Sequence, residues 1–161
     1  MSIRRTLAAL AATAALVFAG AAGPALAGSP HFIKNATSAS VDGVDLVVQF
    51  KEAGLESGAT ETVVASADLS ATYSCVNGGN KVPSDPKKTT IDSRVSASGE
   101  FTAGQNGNIV GSLRISPTPA DVALDCPNGQ TATLFLVVYT NVTIEDLDSG
   151  AFLAIRGTFS A

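Results

Sequence analysis

Three glutamates are the first candidates for catalysis in this sequence. Glu52, Glu56 and Glu61 lie in or beside the connection between Lys51 and Thr62. Two carboxyl groups held roughly 5–10 Å apart can hydrolyse a glycosidic bond, one of them acting as the acid. Sugar hydrolases usually also offer aromatic platforms, but this chain has two Tyr and no Trp. We therefore interpret the three glutamates as solvated loop residues and keep a small hydrolase using loop carboxylates as an alternative.

A second acidic group could bind a hard cation. Glu145, Asp146 and Asp148, with Asn141 upstream, supply the oxygen ligands that Ca²⁺ prefers. The segment lacks the regular Asp-x-Asn-x-Asp-Gly order of a calcium-binding loop. We interpret it as the end of a strand followed by a turn, and the sequence predicts no metal site.

The remaining residues do not complete a known catalytic set. A Ser-His-Asp triad needs an imidazole held between a nucleophile and a carboxylate. The chain has one histidine, His31, close to the expected start of the mature chain, where segments tend to fray. A zinc site needs three or four Cys, His or carboxylate ligands. We expect no catalytic residues and no cofactor, and we lean towards a protein that is not an enzyme.

The segment 76–90 is the candidate binding loop. It carries Lys81, Lys87 and Lys88 against Asp85, a local charge of +2 in an acidic protein. Loops fixed on a rigid scaffold often bind partners, although a solubilising loop would have a similar composition. The candidate binding residues at this loop are Asn77, Asn80, Lys81, Lys87 and Lys88.

The first 27 residues are typical of a secretory signal peptide. Arg4 and Arg5 precede an apolar run at 7–20, and Ala25-Leu26-Ala27 is a small-x-small cleavage site. Alanine and glycine dominate the run, whereas a membrane span needs about 20 residues of stronger hydrophobicity. We expect cleavage after residue 27, a secreted mature chain at 28–161, and no membrane span after signal cleavage.

The composition excludes some partners. The chain of 161 residues has 10 Lys and Arg against 14 Asp and Glu, a net charge of −4. Loss of Arg4 and Arg5 would bring the net charge to −6. Proteins that bind nucleic acids usually cluster Lys and Arg on one face, so we expect no nucleic-acid partner. The length suits one domain, and we expect a monomer.

Cys75 and Cys126 are the only cysteines. Disulfides form and persist in the oxidising compartments outside the cytoplasm. Neither cysteine belongs to a Cys-x-x-Cys motif, which favours a structural disulfide over a catalytic or metal-binding thiol.

Alternation of apolar and polar residues with a period of two predicts strands throughout the mature chain. The alternation is clearest at 63–75, a segment long enough to bend or bulge midway. The apolar run 134–144 is typical of a central strand buried on both faces. Asp42-Gly43 between two alternating segments predicts a hairpin. Further strands are predicted at 36–41, 44–50, 95–101, 109–115 and 153–159.

About seven to eight short strands with turns between them favour an all-β fold. We predict a single-domain antiparallel β-sandwich, immunoglobulin-like in general architecture, with a small β-barrel as the alternative. The strands must then position the acidic residues and the lysine loop.

Four stretches of the chain, at 50–55, 73–80, 96–101 and 126–130, resemble a group of small secreted hypothetical proteins of actinobacteria. The resemblance covers nearly the whole mature chain and implies a secreted, disulfide-bonded β protein. It implies no activity, cofactor or site residues. We expect a non-catalytic extracellular domain that binds a protein or cell-envelope partner, with a hydrolase or a secreted enzyme inhibitor acting through loop 76–90 as alternatives.

Overall fold

A computed structural model describes residues 28–79, 81–84 and 86–161 of the chain. The predicted signal peptide at 1–27 lies outside the described residues, as do Asn80 and Asp85. The described chain is an all-β sandwich of two antiparallel sheets with one disulfide, as predicted. Nine strands are present in the described residues, against the seven or eight that were expected.

The first sheet contains four strands. The central strand β3 (Asp45–Ala53) pairs along one edge with β6 (Ile109–Ile115). Its other edge pairs with β2 (Ser38–Asp42) and, near its end, with β1 (His31–Phe32). A single 3-10 turn at Lys34–Ala36 separates β1 from β2.

The second sheet has five strands and is built on two long central ones. The strand β4 (Thr60–Asn77) pairs with β5 (Lys88–Thr102) on one side and with β7 (Gln130–Asp146) on the other. The far edge of β7 pairs with β8 (Phe152–Ile155) and β9 (Phe159–Ser160). A one-turn helix, α1 (Ala120–Ala123), lies in the connection from β6 to β7.

The alternation predicted for β4 is confirmed. Every second residue of this strand, from Val63 to Cys75, is buried between the sheets. The pairing of β4 with β7 shifts register between Ser66 and Asp68 and again between Thr72 and Tyr73. At both places the extra residue belongs to β7, so the bulge that was expected within β4 lies on its partner strand. The hairpin at Asp42-Gly43 is confirmed as well, since Asp42 pairs with Asp45 across a two-residue turn.

The prediction that 134–144 is buried on both faces is wrong. The strand β7 is central in its sheet, but Phe135 and Leu136 are about half exposed while Val137 and Tyr139 are fully buried. One face of this antiparallel sheet packs on the core and the other faces solvent, as is common for such sheets.

A column of aromatic rings fills one end of the core. Phe50 of β3 packs edge-on against Phe32, at 5.9 Å between ring centroids, and against Phe101 of β5, at 5.0 Å. Gly111 lies opposite Phe50 in the sheet. A Cβ at Gly111 would lie 2.6 Å from the ring of Phe101, so only glycine leaves room for this stack.

The strand pairings define two ends of the sandwich. At the disulfide end lie the β2–β3 hairpin, the β4–β5 loop and the β6–β7 connection. At the opposite end, called here the carboxylate end, lie the β3–β4 loop, the β5–β6 turn and the β7–β8 turn.

Candidate functional site

Four acidic residues meet at the carboxylate end. Glu52 is near the end of β3, Glu61 near the start of β4, Asp146 at the end of β7, and Asp148 in the turn that follows. Glu52 and Asp146 are fully buried, Glu61 is 8% exposed, and Asp148 is exposed. The interpretation of Glu52 and Glu61 as solvated loop residues is therefore wrong, because both belong to strands and face inward. Glu56 alone lies in the loop and is exposed.

The period of two in the strands explains why these acids are buried. Glu52 continues the inward-facing series of Leu46, Val48 and Phe50, and Glu61 precedes that of Val63. Asp146 follows the inward-facing Ile144 on β7. Each acid occupies the inward-facing position of its strand that is nearest the carboxylate end.

The β7–β8 turn supplies most of the hydrogen bonds to this cluster. The Ser149 hydroxyl lies 2.5 Å from Oδ2 of Asp146 and 3.2 Å from Oε1 of Glu52. The backbone N–H of Asp148 donates to Oδ1 of Asp146 at 3.0 Å. The N–H of Thr62 in turn donates to Oδ2 of Asp148 at 2.7 Å. The turn is thus tied to both central strands of the second sheet.

The carboxyl group of Glu52 is only partly satisfied. Its Oε2 is buried without a hydrogen-bond partner among the described residues. Its Oε1 shares the Ser149 hydroxyl with Asp146, and a hydroxyl has one hydrogen to donate. A buried carboxylate in this position costs free energy unless a proton or a cation neutralises it.

Burial and like charge both act on the glutamates. Burial, followed by the negative charge of Asp146, raises the pKa of Glu52 to about 7. Burial also raises the pKa of Glu61, and Asp146 and Asp148 add to the effect. Within the described residues, none of the ion pairs formed by Lys or Arg reaches these four acids.

Three of the acids have the geometry of a cation site. One carboxylate oxygen from each of Glu61, Asp146 and Asp148 lies within 4.8 Å of the others. An open depression of about 300 Å³ lies beside them and is lined in part by Glu56, Glu61 and Asp148. The cluster is therefore reachable from solvent through Glu61 and Asp148, whereas Glu52 is fully buried and does not line the depression.

The second acidic group proposed from the sequence is divided in the structure. Asp146 and Asp148 join Glu61, but Glu145 points outward and Asn141 belongs to a different network. The Asn141 side chain donates to Asp68 at 2.7 Å, and Arg94 donates to Asp68, to the Asn141 carbonyl and to Thr143. These polar contacts lower the pKa of Asp68, first through Asn141 and then through Arg94.

Asn141 also decides which residues of β7 face inward. Its φ of +50° lies in the left-handed region, and two residues of β7 oppose one residue of β4 at this point. Such a bulge shifts the alternation by one position. Val137 and Tyr139 are buried before the bulge, and Val142 and Ile144 after it, which brings Asp146 to the interior.

His31 takes no part in the acidic cluster. Its ring is exposed, and Nδ1 lies 2.8 Å from the carbonyl oxygen of Ser29. It is therefore engaged with its own terminal segment rather than with a nucleophile.

At the disulfide end, Cys75 and Cys126 are bonded, with their Cα atoms 5.7 Å apart. The predicted pairing is confirmed. The bond joins the end of β4 to the β6–β7 connection, directly beside the loop that carries the lysines.

The base of the β4–β5 loop is held by several contacts. The N–H of Cys75 donates to the Lys87 carbonyl at 3.0 Å, and the N–H of Asn77 donates to the Lys81 carbonyl at 2.9 Å. The ammonium group of Lys87 donates to the Asp125 carbonyl at 2.6 Å. The side chains of Asn77, Lys81 and Lys88 are exposed. Of the candidate binding residues, Asn80 lies outside the described part of the chain.

Comparison with known proteins found no match to a family model, to a curated protein or to a solved structure. In the part of the chain that the structure describes, the helices are too short to cross a membrane.

Proposed function

We propose that the protein is an exported, non-catalytic domain that binds an extracellular protein or a cell-envelope component through the β4–β5 loop. The observation that supports this most is that the base of the loop is held in place while Lys81 and Lys88 are exposed to solvent. Backbone hydrogen bonds from Cys75 and Asn77 hold the two sides of the loop, and the disulfide lies at its root. A loop whose base is already held loses less conformational entropy when it binds.

The surface chemistry of the loop supports the same proposal. Lys81 and Lys88 are exposed in a protein whose net charge is −4. Val82 between them is 47% exposed. Interfaces usually have an apolar centre and a polar rim, and complementary charge accelerates association. The partner that fits best presents an acidic surface.

The test reverses the charge of the loop and leaves its base intact. Lys81→Glu combined with Lys88→Glu removes the exposed positive charge, and Lys87 is kept because its ammonium group supports the loop. The matched control combines Lys34→Glu with Arg156→Glu, two exposed cations at another place on the surface. The measurement is the affinity of each variant for washed envelope and for concentrated culture supernatant of the producing organism.

We expect the loop variant to bind about tenfold more weakly and the control variant to bind as the parent does. Equal binding by both variants, or equal loss in both, would contradict a role for this loop. A secreted enzyme inhibitor is a special case of the proposal, and in that case deletion of residues 82–84 abolishes inhibition of the target enzyme.

A small hydrolase is the second candidate, and the gathering of Glu61, Asp146 and Asp148 beside an open depression favours it. Carboxyl groups with raised pKa values are common in active sites. Glu52 is nevertheless fully buried and has no direct access to a substrate. Turnover of a glycoside or ester that is lost in Glu61→Gln and retained in Glu56→Gln would replace the binding proposal with this one.

A further inference from the structure

We propose that the carboxylate end binds one Ca²⁺ ion between Glu61, Asp146 and Asp148, with Glu52 contributing negative charge from the opposite sheet. This site lies at the other end of the sandwich from the lysine loop. It therefore stands independently of the proposed binding function.

The distances among the carboxylates suit this ion. Calcium is bound by oxygen atoms at about 2.3–2.6 Å, so two of its ligands are separated by at most about 5 Å. The ligand oxygens of Glu61, Asp146 and Asp148 lie within 4.8 Å of one another. A single ion can thus contact all three without a change in the strands that carry them.

Glu52 supplies the second, independent observation. It is fully buried next to the cluster, linked to Asp146 through the Ser149 hydroxyl, and its Oε2 has no hydrogen-bond partner in the described residues. Nearly all buried polar atoms in folded proteins are paired, so an unpaired one calls for an explanation. A cation among the neighbouring carboxylates compensates the charge of this group.

The type of ligand selects the ion. All four side chains offer carboxylate oxygen, whereas structural zinc sites are built mainly from cysteine and histidine. The ligands come from two strands and a turn, and the mouth of the site opens into the depression lined by Glu61 and Asp148. Calcium accepts such irregular sites with six to eight ligands, including water, while magnesium demands an octahedron and gives up its own water reluctantly.

The bound ion would connect elements that are otherwise held only by packing and hydrogen bonds. Asp148 belongs to the β7–β8 turn, Glu61 and Asp146 to the second sheet, and Glu52 to the first. The ion thus joins the two central strands of the second sheet and fixes the β7–β8 turn beside them.

The test measures binding of calcium alone. The chain is expressed in full, purified with its disulfide formed, stripped with EGTA and titrated with CaCl2 by calorimetry, with MgCl2 in parallel at the same ionic strength. We expect one Ca²⁺ per chain, weaker binding of Mg²⁺, and a melting temperature that rises with calcium concentration.

Four variants locate the site. Asp148→Asn changes an exposed ligand, and Glu61→Gln changes one at the mouth; each should weaken Ca²⁺ binding by about tenfold or more. Glu56→Gln, at the rim of the depression, and Asp68→Asn, in the arginine-paired network, make the same change of charge and should bind within about twofold of the parent.

Circular dichroism shows whether each variant is folded before it is titrated. Absence of binding and of any melting shift at about 10 mM CaCl2 would overturn the proposal. Calcium binding that is unchanged in both Asp148→Asn and Glu61→Gln would also overturn the proposal. Because two ligand positions are tested, the experiment remains decisive if one of the variants fails to fold.

Discussion

The two ends of the sandwich use acidic residues in opposite ways. At the disulfide end, Asp42 and Asp45 both pair with Arg114, at 2.5 and 2.8 Å. At the carboxylate end, Glu52 and Asp146 are more deeply buried, yet they have no ion pair with a basic side chain in the described residues.

The ends also differ in how their loops are attached. A covalent bond from Cys75 to Cys126 ties the β6–β7 connection to β4. The β7–β8 turn is held instead by hydrogen bonds through Ser149, Asp148 and Thr62. One end is therefore stabilised by its own residues, whereas the stability of the other depends on what neutralises its carboxylates.

The largest expected effect is at the disulfide end. Replacing both Cys75 and Cys126 by Ala should lower the free energy of unfolding by about 4 kcal/mol, since the bond closes a loop with a sequence separation of 51. Urea denaturation of the purified chain measures this change. If the free energy of unfolding falls by less than about 1 kcal/mol, the unfolded chain gains little conformational entropy when the disulfide is removed.

The next effect concerns pH at the carboxylate end. The pKa of Glu52 is raised from 4.5 to about 7 by burial and by Asp146, so the folded state binds this proton more tightly than the unfolded state does. Without calcium, the stabilising contribution is complete below pH 4.5 and is lost as the pH rises to about 7. The free energy of unfolding should fall by about 3 kcal/mol over this range.

Urea denaturation in EGTA between pH 4.5 and 8 measures this slope, and Glu52→Gln is the control. Gln at position 52 does not titrate, so the variant should show a much flatter dependence than the parent. The same slope in parent and variant would assign the effect to another group.

A smaller effect is expected where two loops meet at the carboxylate end. The N–H of Leu55 donates to the Gly107 carbonyl, and Gly107 has a φ of +68°. A Cβ at position 107 would lie 2.2 Å from the Leu55 carbonyl oxygen. Gly107→Ala should therefore cost about 2 kcal/mol, from both the contact and the backbone conformation.

Thermal unfolding measures this cost, and Gly43→Ala is a matched control. Gly43 also has a positive φ, +63°, but a Cβ there meets no atom within 4 Å. A similar loss in both variants would show that backbone conformation alone determines the effect and that the contact with Leu55 adds nothing.

The smallest effect concerns the bulge that turns Asp146 inward. Asn tolerates the left-handed conformation better than other residues with a side chain, and glycine tolerates it best. Asn141→Ala should cost about 1 kcal/mol and Asn141→Gly less, as measured by urea denaturation. Equal destabilisation by the two variants would assign the role of Asn141 to its bond with Asp68 instead.

The sequence predicted the framework of the fold because burial on one face imposes a period of two. The inward series of β3 and β4, the hairpin at Asp42-Gly43 and the disulfide all follow from local pattern or from residue type. The continuous apolar run of β7 has no such period, and its one-sided burial could not be derived from it.

The candidate site was harder to predict from the sequence because its residues come from segments that are far apart along the chain. Glu52 and Asp146 are 94 positions apart, and their approach depends on how the two sheets pack. Glu52 does, however, continue the inward alternation of β3, a signal that was available. Asp146 carries no such signal, since the bulge at Asn141 shifts the alternation in front of it.

The most direct measurement is a crystal structure of the chain grown in CaCl2, with diffraction data collected at a long wavelength where calcium scatters anomalously. The account predicts one anomalous peak between the carboxylates of Glu61, Asp146 and Asp148, with Glu52 beside it. Crystals soaked in about 10 mM calcium that show no peak there would contradict the account.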